Sequence, residues 1–186
     1  MRIFIDGSSS RAKRGPNFIG WGVVAINVEN HIELSGGLQG PTGLHEWVAA
    51  VHGIQLAMKH GVSPENLTLY SDSDWIGYAN YHLHPQNYSP YSWVVRRDVI
   101  EVLELMGYPE LEQDMLEYLQ YSDTKWIKGH NFSIYQCRAD YLAREAMRNQ
   151  RDTKEAVLLP YDHWLSGGLT TYGKSGTTIW KAPFVA

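Results

Sequence analysis

Four carboxylates stand where the pattern around them calls for burial or close packing. Asp6 follows the apolar run Ile3-Phe4-Ile5 and, by strand alternation, shares a face with Phe4. Aspartate is depleted in strands, and a buried carboxylate is costly without a partner. Asp72 closes a second strand-like run at residues 66–71. Glu46 lies in the first turn of a helical pattern, on a stripe continued by Ala50, Gly53 and Ala57, whose small side chains let a helix approach a sheet closely. Asp140 lies on a later helix, with Ala143 and Met147 on its own side. Acids that converge repel one another and persist together only with protons or cations between them. Hard oxygen ligands with open positions suit Mg2+ or Mn2+, and two such ions about 4 Å apart stabilise both the attacking and the leaving oxygen of a phosphodiester displacement. The competing reading is that each acid is separately solvated. With 20 acidic residues in the chain, pattern alone does not choose.

The elements that must position these residues follow from periodicity. Residues 2–6 form a first strand, turned by Gly7-Ser8. Residues 8–17 are a loop carrying Arg11, Lys13 and Arg14. Residues 18–28 and 31–35 are strands two and three, and residues 36–43 a Gly- and Pro-rich loop. A helix spans 44–60, with Trp47, Val51, Ile54 and Met58 as its core stripe; Gly61 stops it and Pro64 lies just beyond. Strand four covers 66–71. Residues 73–84 are read as a helix cut off by Pro85, residues 93–106 and 110–121 as two more. Strand five covers 124–128 and a strong helix 136–149. Three antiparallel strands, then helices alternating with two further strands, describe an α/β layered domain with a mixed sheet.

The 186 residues suit one domain, with 44% hydrophobic and 12% aromatic content to build a core. A net charge of −4 excludes a global basic field, so any nucleic-acid contact must use local patches. The single cysteine, Cys137, forms no internal disulfide and suits a reducing compartment. No apolar stretch approaches the ~20 residues of a membrane span, and no signal pattern opens the chain. The expectation is a soluble, cytoplasmic protein.

Resemblance separates the two readings of the acids. The segments Phe4-Ile5-Asp6-Gly7-Ser8, Leu44-His45-Glu46-Trp47, Tyr70-Ser71-Asp72-Ser73, Trp126-Ile127-Lys128-Gly129-His130 and Arg138-Ala139-Asp140-Tyr141-Leu142-Ala143 resemble type 1 ribonuclease H, in the family's order and at similar intervals. The resemblance implies a ribonuclease H-like fold, a five-stranded mixed sheet in the order 3-2-1-4-5, over a catalytic domain of residues 1–150. It implies endonucleolytic cleavage of the RNA strand of an RNA–DNA hybrid with two Mg2+ ions, Mn2+ being the alternative. By matching motif, Asp6 would bridge both metals. Asp140 would help hold the ion that activates water, and Glu46 and Asp72 the ion on the leaving-group side. His130 would assist proton transfer or product release, a role suited to imidazole.

The sequence departs from the family in the substrate-contacting positions. Thr42 and Gly43 stand where asparagines commonly read RNA 2′-hydroxyls, and Asp74 stands where glutamine is frequent. Gln136 is read as a substitute for a substrate-contacting asparagine. Trp93, Arg96 and Arg97 occupy the place of a basic protrusion and, with Ser8, Ser73 and the cations Arg11, Lys13 and Arg14, are the expected hybrid-contacting set. Residues 151–186 fall outside the resemblance and are read as an extension packed on the domain. Two alternatives stand beside the nuclease reading: a DNA-directed nuclease or recombinase of the same fold, and a non-catalytic nucleic-acid-binding module.

Overall fold

In the computed structural model the residues described are 1–10, 17–27, 31–129 and 133–149, together with the backbone of 156–159, 169–171 and 178–180. In chain order the elements are β1 (Arg2–Ser10), β2 (Phe18–Ile26), β3 (His31–Gln39), α1 (His45–Lys59), β4 (Thr68–Ser71), α2 (Asp74–Gly77), α3 (Ala79–Leu83), α4 (Ser92–Met106), α5 (Glu112–Tyr121), β5 (Asp123–Trp126), α6 (Ile134–Asn149), β6 (Ala156–Leu159), β7 (Leu169–Thr171) and β8 (Thr178–Trp180). The expected mixed five-stranded order is present. β1 pairs antiparallel with β2 and β2 with β3, while β4 lies parallel to β1 and β5 parallel to β4. A sixth strand extends it: β6 pairs antiparallel with β3, from His31 with Leu159 to Leu34 with Ala156. β7 and β8 form a separate two-stranded ladder.

Three local expectations are corrected. β1 does not turn at Gly7-Ser8. It continues to Ser10, because the ladder to β2 runs unbroken from Arg2 with Ile26 to Ser10 with Phe18. β3 likewise runs through Gly36 and Gly37 to Gln39, which the sequence assigns to a loop. Cross-strand pairing overrides the weak strand propensity of serine and glycine. The single helix expected at 73–84 is two short ones, α2 and α3, meeting at Tyr78.

The sheet alternates cleanly. Ile3 and Ile5 join Val23, Ala25 and the inner residues of α1 in the larger core. Phe4 points to the opposite face, where it packs with Val24, Ile26 and the Ala139 and Leu142 side chains of α6. α1 is buried on several sides because α4 and α5 cover it from beyond the sheet. Trp47 Nε1 donates to Asp98 Oδ2 of α4 at 3.2 Å. α6 lies directly on the backbone of β2: a Cβ at Gly22 would overlap the Ala139 carbonyl. The outer part of α6 is pinned to β3 by Arg138, whose Nε and Nη2 donate to the two carboxylate oxygens of Glu33 at 3.0 and 2.9 Å.

Burial alone would raise the Glu33 carboxyl. Hydrogen bonds from His31 and Arg138, with the charge of Arg138, hold it below its ordinary value instead. A group depressed on folding adds stability that is present above its unfolded pKa and is lost as pH falls through the folded one. Arg138→Ala should therefore destabilise the fold by about 1.5–3 kcal/mol at neutral pH, the scale of charged hydrogen bonds lost from a buried acceptor. The deficit should shrink on acidification. Thermal melts across the acid range would show this, and a pH-independent deficit would mean that the ion pair is not its source.

Candidate active site

The acids are brought together by elements far apart in the sequence. Asp6 is in the middle of β1, on the face that α6 covers, and is 5% exposed. Glu46 opens α1, whose first turn sits against β1 at Gly7; a Cβ there would overlap the His45 carbonyl. The Gly7 N–H donates to the Glu46 carboxylate. Asp72 follows the last residue of β4, where Trp126 Nε1 donates to its backbone oxygen at 3.0 Å. Ligand oxygens of Asp6, Glu46 and Asp72 all lie within 4.8 Å of one another. Asp140 approaches on α6, and its Oδ1 accepts from Arg144 Nε at 2.7 Å, one helical turn along.

The electrostatics are those of crowded acids. Burial raises the Asp6 carboxyl well above its ordinary range, and the charges of Glu46, Asp72 and Asp140 raise it further; a hydrogen bond from Gln136 opposes them. Burial raises Glu46 well above its range too, with Asp72 and Asp140 adding to the effect and the Gly7 N–H opposing it. The same field reaches Cys137, whose thiol is pushed up by burial and by Asp140 and Asp6, keeping it neutral and unreactive. Glu46 Oε2 is buried with no hydrogen-bond partner among the described residues. An unpartnered carboxylate oxygen amid three other acids is what a divalent cation would satisfy, so the donor set fits a hard metal ion.

The remaining expected site residues divide. Gln136, read from the sequence as a substrate contact, is 1% exposed. Its Nε2 donates to Ile5 O at 2.9 Å and to Asp6 Oδ2 at 3.1 Å, so it fixes the rotamer of the central acid. Ser8 directs its hydroxyl to Met147 Sδ at 3.5 Å. Thr42 and Gly43 form the turn leading into α1, and the Thr42 carbonyl holds His45 Nδ1. Ser73 begins the turn into α2, its N–H donating to Ser71 Oγ at 3.1 Å. Trp93, on α4, is 61% exposed, and the Arg97 guanidinium lies over its ring at 5.4 Å. Arg97 is also held by Asp98, the acid that receives Trp47 of α1. Arg96 is exposed beside it. His130, Arg11, Lys13 and Arg14 lie outside the described residues.

Sequence reasoning missed two participants. Arg144 was legible from its i,i+4 spacing to Asp140. His45, whose Nε2 lies 3.6 Å from Glu46 Oε1, carries no local signal beyond adjacency.

Comparison with known proteins places this geometry in context. The protein-family model described as RNase H matches residues 1–148. A ribonuclease H of Prosthecochloris aestuarii is 29% identical over 153 residues, covering 80% of this chain and 96% of the relative. One of Erythrobacter litoralis is 30% identical over 151 residues, 78% of this chain and 94% of that protein. Among solved structures, LC9-RNase H1, a type 1 RNase H with the type 2 active-site motif, superposes with a TM-score of 0.53. That match spans 89% of this chain and 80% of the other, at 14% identity, and speaks for the fold.

Proposed function

From the premise that this chain belongs to the ribonuclease H family and hydrolyses the RNA strand of RNA–DNA hybrids, we propose that Asp6, Glu46, Asp72 and Asp140 hold two Mg2+ ions and that residues 1–150 are the catalytic domain. The observation that carries this is the meeting of three carboxylates within 4.8 Å around an unpartnered Glu46 oxygen. The bound ions would supply Lewis-acid stabilisation of the phosphodiester oxygens, and Mn2+ would serve in their place. The chain's own part is positional. Gln136 and the Gly7 N–H fix two of the acids, and Arg144 orients Asp140. His130 is proposed to assist proton transfer or product release. With one buried free cysteine and no described helix long and apolar enough to cross a membrane, a reducing cytoplasmic setting suits the protein.

The discriminating experiment offers labelled RNA–DNA hybrid, double-stranded RNA and single-stranded DNA to the protein with Mg2+. Cleavage confined to the RNA of the hybrid is expected. Equal cleavage of DNA would favour the DNA-directed alternative, for which Thr42-Gly43 gives the one sequence reason. No cleavage would leave a binding module.

The hybrid should be gripped partly through α4. Changing Arg96 and Arg97 together to Ala should weaken binding and lower the slope of log K against log salt by about one unit for each phosphate no longer neutralised. Because Arg97 is already paired with Asp98, a total change nearer one unit than two is expected. An unchanged slope would move the gripping surface elsewhere.

A further inference from the structure

At the end of β5 away from Asp72 lies an open cavity of about 390 Å³ at the surface, between α3, the turn after it and the end of α5. It is lined by Asn80, Tyr81, His84, Asn87, Gln120, Tyr121 and Ser122, with no carboxylate, lysine or arginine among the described residues that line it. The polarity of its two asparagines is fixed from behind. Asn80 Oδ1 accepts from Thr124 Oγ1 at 2.7 Å and from the Tyr81 N–H at 2.8 Å, which leaves its NH2 as the free end. Asn87 Nδ2 donates to the Tyr81 carbonyl at 3.1 Å, which leaves its Oδ1. The lining therefore offers one preset donor and one preset acceptor. Ser122 is 3% exposed, and its hydroxyl is buried with no partner among the described residues. The rings of Tyr81 and Tyr121, each about half exposed, flank the opening.

We propose that this cavity binds an unpaired nucleobase. Walls without a carboxylate or a fixed cation, carboxamides of fixed polarity and flanking aromatic rings are the requirements of a neutral, planar, hydrogen-bonding group, and an amide reads a base edge through one donor and one acceptor. A route connects it to the acids. Trp75, three residues past Asp72, has its ring 5.9 Å from His82 and 5.7 Å from Tyr91; His82 in turn lies 5.6 Å from Tyr81. Ser122 precedes the Asp123–Thr68 pair and Asp72 follows the Ser71–Trp126 pair. Ser122 is thus about five strand residues, ~17 Å, from Asp72, a span for about five stacked nucleotides. The base is that of a single strand continuing from the end of a hybrid, an assignment that rests on the proposed substrate.

Fluorescence anisotropy without divalent metal tests it. The probes are a blunt hybrid, the same hybrid with a single-stranded extension of about four to eight nucleotides on either strand, and free adenosine. One extended hybrid should bind about tenfold tighter than the blunt one, within the range that one or two stacked bases supply. Gln120→Ala combined with Tyr121→Ala should abolish that advantage and leave cleavage of the blunt hybrid unchanged. Ser122→Ala should reduce the advantage while raising the thermal midpoint, because it removes a buried unpartnered hydroxyl. Equal binding of blunt and extended hybrids, or an advantage that survives the double substitution, overturns the proposal. So does adenosine competing away the whole advantage at micromolar concentration, since the cavity would then be a free-nucleoside site. Cleavage of the blunt hybrid, scored separately, reports only on the nuclease reading.

Discussion

Asp6→Asn should abolish metal-dependent hybrid cleavage and leave the fold standing. Asp6 is the acid on which the other three act: its own burial, and then their charges, raise its carboxyl, and Gln136 fixes its orientation. Asparagine keeps the shape and preserves an oxygen for Gln136 while removing the charge. If Asp6 bridges two ions, the loss forfeits several kcal/mol of charge stabilisation at the reacting phosphate, about a thousandfold in rate or more. The measurement is kcat on labelled hybrid at saturating Mg2+, with the thermal midpoint as the control for folding. Activity above about a tenth of wild type would place the centre of the mechanism on another acid, since a tenth corresponds to only ~1.4 kcal/mol.

Asp72→Asn should do two opposite things: end activity and raise the melting temperature of the metal-free protein. Asp72 adds to the raised carboxyls of both Asp6 and Glu46. Two charges 4 Å apart repel by about 4 kcal/mol at an effective dielectric near 20. Proton uptake and water relieve much of this, so ~1–2 kcal/mol is expected, a rise of several degrees for a chain of this size. The pH dependence has a definite sign. Asp6 and Glu46 hold protons more tightly folded than unfolded. Metal-free wild type should therefore lose stability as pH climbs from the ordinary carboxylate range through their raised folded values. The variant should lose less. Millimolar Mg2+ should then stabilise wild type through preferential binding to the native state, and the variant less. Melts in chelator and in Mg2+ at several pH values decide the matter. A variant that melts lower than wild type without metal, with equal Mg2+ shifts in both, would mean that the carboxylates do not act as one cluster.

Much of this arrangement was legible because the signals were local. The Ile3-Phe4-Ile5-Asp6 alternation separated core from site, and the small stripe below Glu46 put α1 on the sheet: Gly53 packs on Ile3 and Ile5. What escaped depends on partners distant in sequence. Gly36 and Gly37 carry no strand signal, yet they pair with Trp21 and Gly20. The exposure of Trp93 depends on which side of α4 faces α1, which spacing within α4 leaves open. Gln136 illustrates the limit best. Its residue type and its place near the site suggested substrate, whereas the depth of α6 against Gly22 buries it on Asp6.

That seating of α6 has a consequence for the protein while it is being made. Asp6 leaves the ribosome well before Gln136 and Asp140, which follow 130 and 134 positions later. At roughly 5–20 residues per second, the nascent chain spends about 7 to 27 s with its first acid made and its last still missing. Throughout that interval β2 lacks the helix that covers Gly22, and Asp6 lacks the amide that orients it. If the four acids form the cutting centre as proposed, that centre is complete only once α6 has docked.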